Sequence, residues 1–230
     1  MSHPSLIVIA ITSAMMTVAS AQKTTLQFLA FPKQLRPEPV ELLIGDDKTI
    51  EVQTPGNELS PAYEVPVLDS IVVGKSTTND KGEPVFEVYG KAKSLGTSKQ
   101  IILLMRKGKE TRDGFVVLPI NGDLGNFGGG SYLFINASAL NVGGIIGDSK
   151  FALKPGQRNL LKPTPNFADE ICQVTLAYQR EDDWKTFKDT RWSANKAYRS
   201  LVFFYQNPQT GRLGVAPVVD ILPYLPTSAN

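Results

Sequence analysis

A chain of 230 residues with a formal charge of +2, a single cysteine and a single histidine excludes several classes at once. Residues 22–126 hold 13 basic and 14 acidic side chains and residues 127–230 hold 11 and 8, so neither half carries the basic stripe of a nucleic-acid binder. The lone Cys172 leaves no internal disulfide, and the chain must be stable through packed cores alone.

The N-terminus reads as a secretory leader. Leu6-Ile7-Val8-Ile9-Ala10-Ile11 opens an apolar run reaching Val18. Ala19-Ser20-Ala21 then offers small residues at a cleavage site, which predicts a signal peptide over 1–21 and a mature start at Gln22. The apolar run is too short for a membrane span, so no stable span is expected after cleavage. The expected location is secreted, periplasmic or extracellular.

Beyond the leader, short runs rich in β-branched and aromatic residues alternate apolar with polar, the pattern of half-buried strands. The first set is predicted at 25–31, 39–44, 48–53, 62–67, 85–89, 100–106 and 115–119. A second set follows at 131–136, 144–146, 149–153, 158–162, 171–179, 184–187, 199–206 and 212–219. Sixteen prolines argue against long helices. Short strands between Gly and Pro turns predict an all-β chain of two tandem β-sandwiches.

The chain also says nearly the same thing twice. Ile44-Gly45-Asp46-Asp47-Lys48, with its strand ending in Pro55-Gly56, returns as Ile146-Gly147-Asp148-Ser149-Lys150 with Pro155-Gly156. Gly-Asp pairs tolerate the backbone of a tight hairpin turn, and Pro-Gly supplies a second turn. Each half also ends in an apolar strand, a polar turn and a return strand reaching Pro119 or Pro217. Start and finish recur in order, which predicts a tandem duplication. The expected division is a sandwich over 22–121, a Gly-rich linker over 122–130, a second sandwich over 131–222 and a tail over 223–230.

Few residues carry chemistry. The only histidine, His3, lies in the leader, so Ser-His-Asp and Cys-His nucleophiles and His-ligated copper or zinc are all missing from the mature chain. Cys172 sits in a strand-like run and reads as a small buried residue. Glu181, Asp182, Asp183 and Asp189 are the acids a two-carboxylate hydrolase would need, yet their polar stretch reads more simply as a charged hairpin tip. Glu181-Asp182-Asp183 lacks the spacing of a calcium loop. The Gly122–Gly130 segment precedes a strand rather than the helix a phosphate loop requires. Asn136-Ala137-Ser138 matches the N-glycosylation pattern. No catalytic residue, metal ligand or cofactor is expected.

The two halves differ in aromatic content, with 6 aromatics in residues 22–126 and 14 in residues 127–230. Aromatic faces stack on sugar rings and anchor protein interfaces. Trp184, Trp192 and Tyr198 are therefore the candidate ligand or partner residues. Core packing is the competing explanation, and exposure of the two indoles discriminates between them.

The phrase Arg199-Ser200-Leu201-Val202-Phe203-Phe204-Tyr205-Gln206-Asn207-Pro208-Gln209-Thr210-Gly211-Arg212, with Gly130–Asn136 and Leu153-Lys154-Pro155-Gly156 upstream, resembles a group of uncharacterised bacterial secreted proteins with Ig-like sandwich modules. The resemblance covers mainly the second half. It implies an Ig-like fold and no activity. Taken together, the sequence predicts a secreted, non-enzymatic binding or structural module that engages an extracellular or envelope protein. The alternative is a carbohydrate-binding module using the aromatics of the second half, with a carboxylate-based hydrolase ranked below both.

Overall fold

The computed structural model describes residues 22–33, 38–45, 48–107, 111–207 and 210–223. The predicted leader and the tail from 224 onward lie outside the described residues. Sixteen strands appear among the described residues: β1 (Lys23–Phe31), β2 (Val40–Leu43), β3 (Thr49–Val52), β4 (Tyr63–Pro66), β5 (Ser70–Thr78), β6 (Pro84–Lys93), β7 (Lys99–Arg106), β8 (Phe115–Asn121), β9 (Tyr132–Asn136), β10 (Val142–Ile146), β11 (Ser149–Leu153), β12 (Arg158–Leu161), β13 (Ile171–Arg180), β14 (Asp183–Ser193), β15 (Tyr198–Gln206) and β16 (Leu213–Ile221). The only helix among the described residues is a three-residue 3-10 turn at Thr111–Asp113.

The strands form four sheets of four. Sheet I runs β4-β1-β7-β8, sheet II β3-β2-β5-β6, sheet III β12-β9-β15-β16 and sheet IV β11-β10-β13-β14. The second eight strands repeat the order of the first eight, which gives the duplication a topological form. Details repeat as well. β1 pairs in parallel with β7 and β9 with β15, while the other pairs are antiparallel. A bulge breaks the β5–β6 register at Val73/Gly74 and the β13–β14 register at Leu176/Ala177. Pro119 faces Ile102 and Pro217 faces Val202 on the two edge strands, where a missing N–H breaks no ladder bond.

Three cores follow from strand alternation. Phe28, Leu42, Val73 and Ile102 pack between sheets I and II, and Phe134, Val142, Val174 and Phe204 pack between sheets III and IV. The opposite faces of sheets I and III are also apolar. They meet in a third core of Leu29, Phe31, Ile101, Leu103, Ile120, Leu133, Ile135, Leu201, Phe203 and Val218, into which Phe127 also packs. Phe31 stacks on Phe203 with ring centroids 4.3 Å apart. Strands with both faces buried read as continuous apolar runs, and Ile101–Leu104 and Leu201–Phe204 are such runs, fully buried throughout. The result is four stacked layers, with sheets II and IV outermost.

The 122–130 segment is a built joint. Phe127 is buried in the third core. The carboxylate of Asp123 accepts hydrogen bonds from Ser98 Oγ at 2.7 Å and from the Lys99 backbone N–H at 3.0 Å. Arg199, fully buried, donates from Nη1 to the carbonyls of Gly122 at 2.9 Å and Phe127 at 2.5 Å. Its Nε donates to Asp220 Oδ2 at 2.8 Å, and its guanidinium lies 4.6 Å from the centre of the Phe127 ring. Lys99 occupies the corresponding position on β7. Burial above all, and then the charge of Arg199, holds its pKa below the usual lysine value.

Two elements differ from the sequence reading. β5 was not anticipated, because its second half is the polar run Lys75-Ser76-Thr77-Thr78 after Gly74. Pairing with β6 carries that polar end past the core as an exposed ribbon. β14 extends through Ser193 rather than stopping at Phe187, since its bulge lets Phe187 and Trp192 both turn inward while charged residues line the other face.

Candidate functional site

The three aromatic candidates separate into two places. Trp184 stands on the outer face of sheet IV and is 48% exposed. Trp192 turns inward and stacks on Tyr132 and Phe134, with centroids 5.6 Å and 6.2 Å away. Tyr198 joins Trp192 at the seam between β14 and β16. There Tyr132, Arg191, Ser200, Pro217 and Val219 complete a cleft of about 290 Å³. The hydroxyl of Tyr132 donates to the Ser193 carbonyl, and burial raises its pKa above the ordinary tyrosine value.

The outer face of sheet IV is a groove of about 650 Å³. Small residues make its floor: Gly143 and Gly144 on β10, Ala152 on β11 and Ala177 on β13. The indole of Trp184 reaches from β14 across β13 to β10. A Cβ at Gly143 would lie 3.1 Å from Cζ3 and 3.2 Å from Cη2 of the ring, and 2.7 Å from the Phe151 carbonyl oxygen. Glycine is thus required beneath the outer end of the indole, which rests against the sheet while about half of the side chain stays exposed. Ile145, Lys150, Thr175 and Thr186 edge the groove. Beyond them Asp189 Oδ1 accepts from Gln173 Nε2 at 2.5 Å and Thr175 Oγ1 at 3.3 Å, and Asn141 Nδ2 donates to Gln179 Oε1 at 2.9 Å.

The same face of sheet II, in the first half, is built differently. Strand pairing and the matching bulges align Glu41 with Gly143, Glu51 with Ala152, Gly74 with Ala177 and Phe86 with Trp184. Glu41 bonds the Ser76 hydroxyl at 2.5 Å and its N–H at 3.2 Å, and those bonds, the hydroxyl first, lower its pKa. Two carboxylates in one copy are therefore replaced by two small apolar residues in the other, and the indole lies where the first copy places Phe86.

The remaining candidates take bland positions. Glu181-Asp182 is the two-residue turn between Arg180 and Asp183, with Glu181 at φ +56°. Asp183 pairs with Lys185 at 3.3 Å on the exposed tip. Asp189 lies six residues further along β14, about 20 Å at strand rise, beyond the carboxylate separations glycosidases use. Among the described residues no group of three or more potential ligands could hold a metal ion. Cys172 is fully buried, its Sγ 3.9 Å from the Thr164 carbonyl, and burial raises its thiol pKa. Asn136 is fully buried. Its Nδ2 donates to the carbonyls of Leu140 at 2.8 Å and Leu153 at 3.1 Å, and its Oδ1 accepts from the N–H and hydroxyl of Ser138. The sequon is thus a structural turn whose amide nitrogen is engaged inside the fold.

No protein-family model matches the chain, and no curated protein matches it. No helix among the described residues is long and apolar enough to cross a membrane. The site must be argued from its geometry.

Sequence reasoning identified Trp184 but not its surroundings. Gly143, Ala152 and Ala177 carry no chemical signature alone. They become informative once the copies are aligned strand by strand, which needs the bulge positions.

Proposed function

We propose that the protein is an exported, non-enzymatic binding module, built from two Ig-like sandwiches that present the outer face of sheet IV to a ligand. One observation carries the reading: the duplicated copies diverge where Trp184 lies over Gly143, with uncharged small residues replacing Glu41 and Glu51. A groove of several hundred Å³ with an aromatic wall and a few polar groups is the usual form of a ligand site. The Ig-like assignment rests on two four-stranded sheets around one core in each copy. Export rests on the leader-like 1–21 segment and the Ala-Ser-Ala site.

A second reading, an extracellular or envelope protein as partner, is favoured by the edge strand β16. That edge carries one charge, Asp220, which is committed to Arg199, and it exposes Val219 at 47% and Ile221 at 79%. Uncharged edges can accept a partner strand.

The test immobilises the exported chain and its Trp184→Ala variant and passes the extracellular fraction of the producing cells over both. Retained protein and carbohydrate are quantified separately. Loss of a retained component with Trp184→Ala is expected, whereas identical retention by the two columns would sink the assignment of this face. N-terminal sequencing of the exported chain should begin at Gln22, and an intact Met1 would refute cleavage.

A further inference from the structure

The geometry points to the ligand class: we infer that the groove on sheet IV takes a neutral carbohydrate chain, with one pyranose ring stacked on the indole of Trp184. This rests on the reading of that face as the ligand surface.

Four features of the groove select such a ligand. First, the indole is held against the sheet and half-exposed. Gly143 is buried beneath the Cζ3–Cη2 end of the ring and leaves no room there for a side chain, while Trp184 stays 48% exposed. The face of an aromatic ring is electron-rich, and the axial C–H bonds of a pyranose offer a flat, weakly positive surface to match it. Second, the floor of Gly143, Ala152 and Ala177 is uncharged and low, leaving ring-sized depth beside the indole. Third, the polar groups at the edges are hydroxyls and amides, namely Thr175, Thr186, Gln173 and Gln179, with Lys150 and Asp189 of opposite sign. A site for an anion would gather cations, whereas paired donors and acceptors suit vicinal hydroxyls. Fourth, the groove is open along the sheet rather than closed over, which admits a chain that continues past the stacked ring. A protein partner would need about 800 Å² from this side of the interface, whereas the groove is a trough along part of one sheet face, and a purely apolar ligand would make no use of its polar edge.

The experiment is affinity electrophoresis of the exported chain in native gels containing hydroxyethylcellulose, xylan, galactomannan, laminarin or dextran. At least one polysaccharide should slow the wild-type chain. Trp184→Ala should weaken that retardation by about ten-fold or more, in line with stacking losses of a few kcal/mol at aromatic platforms. Trp184→Phe should keep part of it. Ala152→Glu, which places a carboxylate where the first copy has Glu51, should block binding while leaving the indole in place. Ala152 is exposed, so this variant keeps the test sound if Trp184→Ala disturbs the fold. Trp192→Phe should bind as wild type.

No retardation of the wild type by any of the five polysaccharides, or equal retardation of wild type and both groove variants, overturns the carbohydrate assignment. If no polysaccharide binds but a retained protein is lost in both Trp184→Ala and Ala152→Glu, the ligand class falls and the face stands. If neither variant alters any retention, the face falls with it.

Discussion

Replacing Asp220 with Ala removes the only carboxylate bonded to a fully buried guanidinium. Arg199 has no exposed surface, its Nη2 has no hydrogen-bond partner among the described residues, and its other contacts there are two carbonyls and the Phe127 ring. Arginine cannot shed its proton at working pH, so the charge would stay buried and uncompensated. Breaking a buried pair in this way costs about 3–5 kcal/mol. The internal control is Lys23–Glu64, a pair at 3.4 Å whose side chains are 70% exposed on both sides. Pairs of that kind contribute about 0–1 kcal/mol. Urea unfolding of wild type, Asp220→Ala and Glu64→Ala should therefore separate the two variants by several-fold in free energy. The double variant Arg199→Met/Asp220→Ala should recover part of the loss, because no charge remains buried. Recovery should stay incomplete because the Gly122 and Phe127 carbonyls lose their donor, at about 1–3 kcal/mol for each buried orphan. If Asp220→Ala costs no more than Glu64→Ala, the joint does not depend on this ion pair and the 122–130 segment is not fastened as described.

Further substitutions probe the cores and the site. Phe203→Ala should cost about 3–5 kcal/mol by emptying the third core against Phe31, and Ile102→Ala about 2–5 kcal/mol in the first core. Unchanged urea midpoints in both would show the strand assignments to be wrong. Cys172 should resist thiol reagents until denaturant is added, and Cys172→Ser should leave binding intact. The raised thiol pKa also sets a pH dependence. Above the ordinary value of 9.0 the unfolded chain releases this proton while the folded chain retains it, so stability falls as pH rises past 9. The difference between urea midpoints at about pH 8 and about pH 10 should shrink in Cys172→Ala, with the shifted Tyr132 and Lys99 leaving a remainder, and an unaltered difference would argue against a buried neutral thiol. Acrylamide should quench Trp184 far more than Trp192, so Trp184→Phe should leave only protected emission. Asn136→Ala should destabilise by about 1–3 kcal/mol through the orphaned partners of its side chain, and a neutral result by thermal unfolding would refute its turn role.

The strand plan was largely readable because half-buried strands write an alternating code and turn residues punctuate it. Lys99–Arg106 and Tyr198–Gln206 were visible as apolar runs, but the sequence cannot say what covers their second face. That face is covered by the other half of the chain, a contact set by pairing sheets rather than by any local pattern. β5 escaped because beyond Gly74 it has no core to meet, so its residues are chosen by solvent. Phe127 was lost among glycines, since a single aromatic in a Gly-rich stretch has no period to betray its burial. At the site, Trp184 was legible as an aromatic and its exposure was not. Trp192, eight residues on, sits inside, and only the β14 bulge decides which indole faces out.

The face-to-face joint also explains why function concentrates on one outer sheet. Packing sheet I on sheet III removes one face of each copy from solvent, and the two sandwich cores remove four more sheet faces, two in each copy. The outer faces of sheets II and IV are what remains. On sheet II the faces of β2 and β3 keep Glu41 and Glu51, a solvated surface that asks nothing of its neighbours beyond the Ser76 hydrogen bonds. Sheet IV gives up both carboxylates and carries an indole over Gly143 where sheet II carries the Phe86 ring over Gly74, exchanging favourable hydration for apolar area. The first copy keeps an aromatic and an apolar residue at the same two places, Phe86 for Trp184 and Leu43 for Ile145, so these positions belong to the shared scaffold and the carboxylates are what differ. What separates the two outer faces is the replacement of Glu41 and Glu51 by Gly143 and Ala152 and the exchange of the Phe86 ring for the larger indole of Trp184. The comparison within the chain therefore assigns to ligand contact the loss of charge and the wider ring, because the aromatic over a glycine is common to both copies.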